Sequence, residues 1–114
     1  MNHENFAEEW INAWNSHDLD KILFHYADDI EVTTPMITLA AGGKENTLKG
    51  KNDVWEYWKK ALEKFPDLNF ELIKSTAGVN SVALYYKSIM DKYAVEVMFF
   101  DDEGKINKMY AHYD

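Results

Sequence analysis

The chain has no cysteine and no arginine, and only two prolines and five glycines among its 114 residues. Without cysteine there is no disulfide, no thiolate metal ligand and no thiol nucleophile, a composition that fits the reducing cytoplasm. Without arginine there is no bidentate guanidinium for guanine edges, phosphates or carboxylates. The twelve basic residues are all lysines; set against twenty acids they leave a net charge of −8. Such a surface repels nucleic acid and anionic lipid, so neither partner is expected. No apolar run approaches the ~20 residues of a membrane span. The opening MNHENFAEEW lacks a basic stretch followed by an apolar one, so no signal peptide is expected. No two histidines stand at i,i+4 or with a carboxylate at ligand spacing, and no metal or cofactor is expected. Neither a Ser-His-Asp context nor a dinucleotide fingerprint occurs, and AAGGK lacks the strand-to-helix setting of a phosphate loop.

What is present reads as one soluble domain spanning 1–114. An apolar fraction of 46% with 28% charge is ordinary for a globular protein, and this length can bury roughly 65% of its unfolded surface. Phe6, Trp10, Ala13 and Trp14 fall on one helical face, and Asn15-Ser16 ends that helix. Asp18 can cap a second helix with the stripe Leu19, Ile22, Leu23 and Tyr26. Asp28 and Asp29 break that pattern, and Ile30 to Thr34 turns β-branched up to Pro35. A long connection follows, with room for a short strand at 37–40. Asn52 or Asp53 can cap a third helix, Val54 to Phe65, striped by Trp55, Trp58, Leu62 and Phe65 and supported by a Glu56–Lys60 pair.

The second half alternates as strands: 68–76, then a turn at Gly78-Val79-Asn80, then 81–90 and 93–100 about Asp91-Lys92. A second hairpin turns at Asp102-Glu103-Gly104 into 105–113. The order predicts an α+β fold with helices on one face of a curved, mainly antiparallel sheet. In the strand 93–100, Tyr93, Val95, Val97 and Phe99 share one face, while Ala94, Glu96, Met98 and Phe100 share the other. Both faces are mostly apolar. If helices cover one, a second copy of the sheet is the economical cover for the other, so a homodimer is expected.

The segments FAEEWINAWNSHDLDKILFHYADDIEVTTP, LKGKNDVWEYWKKAL and FFDDEGKINKMYAHY resemble the nuclear transport factor 2-like superfamily, specifically its SnoaL-like polyketide cyclase and ketosteroid-isomerase-like members. The likeness runs from Phe6 to Tyr113. It implies a cone-shaped α+β fold: three N-terminal-half helices packed on the concave face of the sheet, a deep apolar pocket between them, and dimers through the sheets. It does not imply one reaction, because the family holds isomerases, cyclases, dehydratases and hydrolases beside modules without chemistry. Carried over by position, the isomerase base falls on Thr34, which cannot abstract a proton at accessible pH. The oxyanion-hole tyrosine falls on Trp10, and supporting tyrosines fall on Tyr26 and Trp58. The second oxyanion-hole acid falls at or beside Glu96. Ketosteroid isomerisation is therefore not expected.

Glu96 is the candidate catalytic group. Apolar neighbours should desolvate its carboxyl and raise its pKa towards neutrality; the plainer alternative is a strand-solvating pair with Lys87. Trp10, Trp14, Tyr26, Thr34, Trp55, Trp58, Met98, Met109 and Tyr113 are the candidate ligand-binding residues, although a helical aromatic stripe is more often plain core. His17 reads as a backbone cap, His25 as structural, and His112 has the outward strand parity. Two functions remain. One is a pocket for a small apolar, carbonyl-bearing molecule with acid–base help from Glu96. The other is a non-catalytic ligand-binding or dimerisation module whose tryptophans fill the pocket.

Overall fold

The computed structural model describes residues 2–37 and 46–114. Helix α1 (His3–Asn15) starts at Asn2, whose side chain accepts the Glu4 and Asn5 amides, and buries Phe6, Trp10, Ile11 and Trp14. Helix α2 (Leu19–Leu23) is capped by the Asp18 side chain as the sequence predicts. Residues 35–37 are helical, so the short strand expected at 37–40 does not begin at Ile37; the rest of it lies outside the described residues.

Six strands make one sheet in the order β2-β1-β6-β5-β4-β3. They are β1 (Tyr26–Thr33), β2 (Thr47–Lys49), β3 (Glu71–Gly78), β4 (Ser81–Lys87), β5 (Tyr93–Phe100) and β6 (Ile106–Tyr113). Every pairing is antiparallel except β1 with β6. The expectation of an α+β fold with a curved, mainly antiparallel sheet therefore holds, the β1–β6 pairing making the sheet mixed.

Several local expectations change. Tyr26 does not extend the second helix; it opens β1, paired in parallel with Ile106. Asp28 and Asp29 lie within β1 as exposed residues at a register shift between Tyr26 and Glu31, so the irregularity seen in the sequence is a bulge and not a break. The three-residue β2 carries no alternation long enough to read. Helix α3 (Lys51–Lys64) begins three residues early: neither Asn52 nor Asp53 caps it, and the N-cap is Gly50 at φ 89°. That left-handed angle suits glycine alone without strain, and the Gly50 amide meets the Ile30 carbonyl at 2.8 Å. Glu56 and Lys60 form no ion pair; the three ion pairs among the described residues are Lys49–Glu31, Lys51–Asp28 and Lys87–Asp91. Strand β3 starts at Glu71 instead of Leu68, and β4 stops at Lys87. Between β4 and β5 lies a 3₁₀ turn, Ile89–Asp91, with Met90 and Asp91 left-handed at φ 55° and 57°.

The core lies between the helices and the concave sheet face, and Trp10, Tyr26, Ile30, Leu84, Tyr86, Met98 and Ile106 are among its most buried side chains. No helix among the described residues is long and apolar enough to cross a membrane.

Candidate functional site

Strand parity builds the floor of the site. Val82, Leu84 and Tyr86 of β4 point inward, as do Ala94, Glu96 and Met98 of β5 and Met109 and Ala111 of β6. The register places Glu96 opposite Leu84 on one side and Ala111 on the other, and Ala94 opposite both Tyr86 and Tyr113. Tyr86 and Tyr113 are therefore diagonal neighbours of Glu96 on its two flanks, within reach of long side chains. The two alanines between these large groups leave space above the sheet.

The helices supply the roof. Trp10 and Trp14 descend from α1, and Tyr57, Trp58 and Ala61 from α3, around a cavity of about 380 Å³. That is near the lower end of the ~300–1,000 Å³ usual for ligand pockets. Aromatic contacts fix this wall: Trp14 meets Trp58 edge-on at 5.1 Å, and Trp10 stacks on Phe70 at 5.9 Å. Leu68 and Phe70 close one end. They are held there because Asn15 exchanges two hydrogen bonds with the Phe70 backbone, at 2.9 and 2.6 Å, and His17 donates to the Leu68 carbonyl at 2.7 Å. His17 thus serves backbone, as its position suggests. Exposed Lys60 and Lys64, half-buried Phe65 and the Ile89-Met90 turn form the mouth.

Glu96 is 4% exposed and lines the cavity. Tyr86 donates its hydroxyl to Oε1 at 2.8 Å, while Oε2 is buried with no hydrogen-bond partner among the described residues. Lys87, the partner a solvating role would need, pairs instead with Asp91 at 3.4 Å. Burial pushes the Glu96 carboxyl up to about 8, and the Tyr86 hydrogen bond pulls only partly the other way. Near neutrality the group is mostly a neutral acid. With Oε1 accepting from Tyr86, its proton belongs on Oε2, where it is unspent. The surrounding phenols also stay protonated: burial first, then the Glu96 charge, raises Tyr86 and Tyr113 and pushes Tyr57 up to about 12.

Two further buried groups on this wall, Trp14 Nε1 and Ser88 Oγ, also lack a hydrogen-bond partner among the described residues. Buried polar atoms rarely go unpaired, and these three belong to residues that line one cavity.

Of the residues singled out from sequence, Glu96, Trp10, Trp14, Thr34, Trp58, Met109 and Tyr113 line the cavity. Three do not. Tyr26 lies behind the wall, taking the Trp10 indole N–H at 2.8 Å. Trp55 is at the edge of the buried α3 face, under the Lys59 ammonium at 5.0 Å, because that face centres on Val54 and Trp58. Met98 shares the parity of Glu96 but sits fully buried in the closed core two residues further along β5. Thr34 occupies the wall with its hydroxyl accepting the Met36 amide at 3.2 Å. Tyr86, Tyr57 and Ser88 were missed. The alternation of Val82, Leu84 and Tyr86 could have placed Tyr86 inside; Tyr57 depends on the rotational setting of α3, and Ser88 on a turn with no sequence signature.

In comparison with known proteins, residues 7–108 match the SnoaL-like domain. A SnoaL-like protein of unknown function from Burkholderia thailandensis shares 47% identity, over 97% of this chain and 92% of that one, with a TM-score of 0.94. A proposed isomerase of the SnoaL-like family from Agrobacterium tumefaciens has a TM-score of 0.77 at 18% identity, covering 98% and 97% of the two chains. AclR, a proposed hydroxylase from Streptomyces galilaeus, has a TM-score of 0.73 at 23% identity, over 97% and 87%. At these last identities the likeness speaks to fold alone. Among proteins with curated descriptions, none matches the chain in sequence.

Proposed function

The chain belongs to the SnoaL-like domain family, and from that premise we propose that its cavity binds a small, largely apolar molecule whose carbonyl oxygen takes the Glu96 proton as a hydrogen bond. The observation that carries this reading is a buried, mostly protonated carboxyl with Oε2 unpartnered, on the wall of a largely apolar cavity. An O–H held in a water-poor site can polarise a carbonyl and stabilise negative charge developing on its oxygen. Tyr86 keeps the acid oriented, and the tryptophans supply apolar area. No carboxylate stands at Thr34 to take a carbon-bound proton, so the reading gives Glu96 the part of an acid and makes any base its own conjugate form. The non-catalytic alternative needs a cavity filled by tryptophans, whereas Trp14 and Trp58 pack against each other beside open space.

Phenyl ketones of increasing size, compared with their hydrocarbon analogues by quenching of tryptophan fluorescence, test this. Ketones should bind more tightly than the hydrocarbons, and Glu96→Leu should abolish the difference. Equal affinities in the unmodified protein would refute the assignment to Glu96.

The second reading concerns assembly. Tyr85, Tyr93, Phe99 and Tyr110 are each 37–41% exposed on the outer sheet face, with half-buried Val95 and Val97 among them. Across this face Ala83, Val97 and Tyr110 form one cross-strand row, continued by Thr33. A contiguous aromatic and aliphatic row on a chain of charge −8 is what a second copy of the sheet would cover. Light scattering at micromolar protein should give twice 13.3 kDa, and Val97→Lys should give the monomer with its circular dichroism retained. A monomeric mass for the unmodified chain would sink the dimer.

A further inference from the structure

We infer that the cavity's ligand is an apolar monoanion: its carboxylate sits between Lys60 and Lys64 at the mouth, its body lies against the tryptophan wall, and a further oxygen reaches the Glu96 end. The inference rests on the binding reading above and names the class of molecule. Lys60 and Lys64 are one turn apart on α3, so their side chains rise from the same face, ~5–6 Å apart at Cβ. Both line the cavity and both are exposed. Of the α3 lysines, Lys51 pairs with Asp28 at 3.9 Å, Lys59 covers the Trp55 ring, and Lys64 lies over the ring of Phe65, its neighbour at the mouth, at 5.7 Å. Lys60 and Lys64 make no ion pair among the described residues, although Glu56 and Glu63 are near them in sequence.

The distribution of charge adds to this. The chain carries twenty acids, yet among the described residues the cavity wall has one, Glu96, and burial keeps it mostly neutral near neutrality. The cavity lining thus carries two cations and one largely neutral acid, while Asp67, Glu71 and Asp91 line the adjoining groove that shares Lys64, Ile89 and Met90. Inside, the Glu96 acid can donate from Oε2, while the Trp14 indole and the Ser88 hydroxyl stand close to the Tyr26 and Tyr113 hydroxyls. A ligand that satisfies Glu96 must bring an acceptor. Hydrocarbons bring none, and a cation would meet lysines on entry. An apolar acid with a carbonyl oxygen at its far end meets both requirements.

The probes are para-acetylphenyl alkanoates of increasing chain length and their methyl esters, which share shape and ketone and differ in charge. Binding is followed by tryptophan fluorescence at low salt. For the best-fitting chain length the acid should bind about tenfold more tightly than its ester, equivalent to ~1.4 kcal/mol, the scale of two partly exposed ion pairs. That ratio should fall towards one in Lys60→Met/Lys64→Met and at high ionic strength. It should persist in Lys59→Met. Acid and ester binding equally well, or an acid preference unchanged in the double variant, would overturn the anion assignment while leaving the cavity reading in place. If neither acid nor ester binds at any length, both fail together.

Discussion

Replacing Glu96 by glutamine should change how stability depends on pH far more than it changes stability near pH 5. The carboxyl ionises at an ordinary 4.5 when free and at about 8 in the fold, because burial penalises its charged form. Between those values the folded protein holds a proton on Glu96 that the unfolded chain has lost, so stability falls as pH rises. The slope approaches ~1.4 kcal/mol per pH unit, and the interval from 4.5 to about 8 accumulates up to about 5 kcal/mol. Below the lower value the favourable contribution is complete; above the upper one it is gone and the curve is flat again. Glutamine cannot ionise and can still accept from Tyr86. Glu96→Gln should therefore match the unmodified protein near pH 5, within the ~1 kcal/mol of an altered hydrogen bond. By pH 9 it should be the more stable by several kcal/mol. Urea unfolding of both proteins at intervals from pH 5 to 9, read by circular dichroism, measures the difference directly. Other titrating groups, His25 among them, are common to both chains and cancel. A difference that stays constant across that range would refute the reasoning, since it would mean that Glu96 ionises normally in the fold.

The remaining predictions concern its neighbours and the core. Tyr86→Phe removes the donor that favours the carboxylate, so the Glu96 carboxyl should titrate still higher in an NMR pH series; a fall would contradict this. Tyr26→Phe strands the buried Trp10 indole N–H, which should cost ~1–3 kcal/mol in urea unfolding, whereas no measurable loss would show that the bond contributes nothing net. Met98→Ala empties a fully buried site in the closed core and should cost ~2–5 kcal/mol. Trp55→Phe, at the edge of the α3 face, should cost clearly less, and the reverse ranking would mean that α3 is rotated from the setting described.

Much of this protein is legible one segment at a time. Trp10 and Trp14 four residues apart, Asp18 ahead of an apolar stripe, and the alternation from Tyr93 to Phe100 each encode an element and its buried face through local geometry alone. That Glu96 interrupts the apolar inward face of β5 is visible in the sequence for the same reason. Local patterns carry no record of what lies opposite, and there the tertiary structure decided. Tyr86 and Tyr113 flank Glu96 because register sets them diagonal to it, with Ala94 and Ala111 making the room. Helix α3 turned Val54, Trp58 and Tyr57 towards the sheet in place of Trp55, a choice that several apolar stripes on one helix leave to packing. Tyr26 opened a strand because β6 offered it a parallel ladder, a contact eighty residues distant. Whether the tryptophans filled the space or only walled it was a matter of how rings from two helices meet, and edge-on contact between Trp14 and Trp58 left the cavity open.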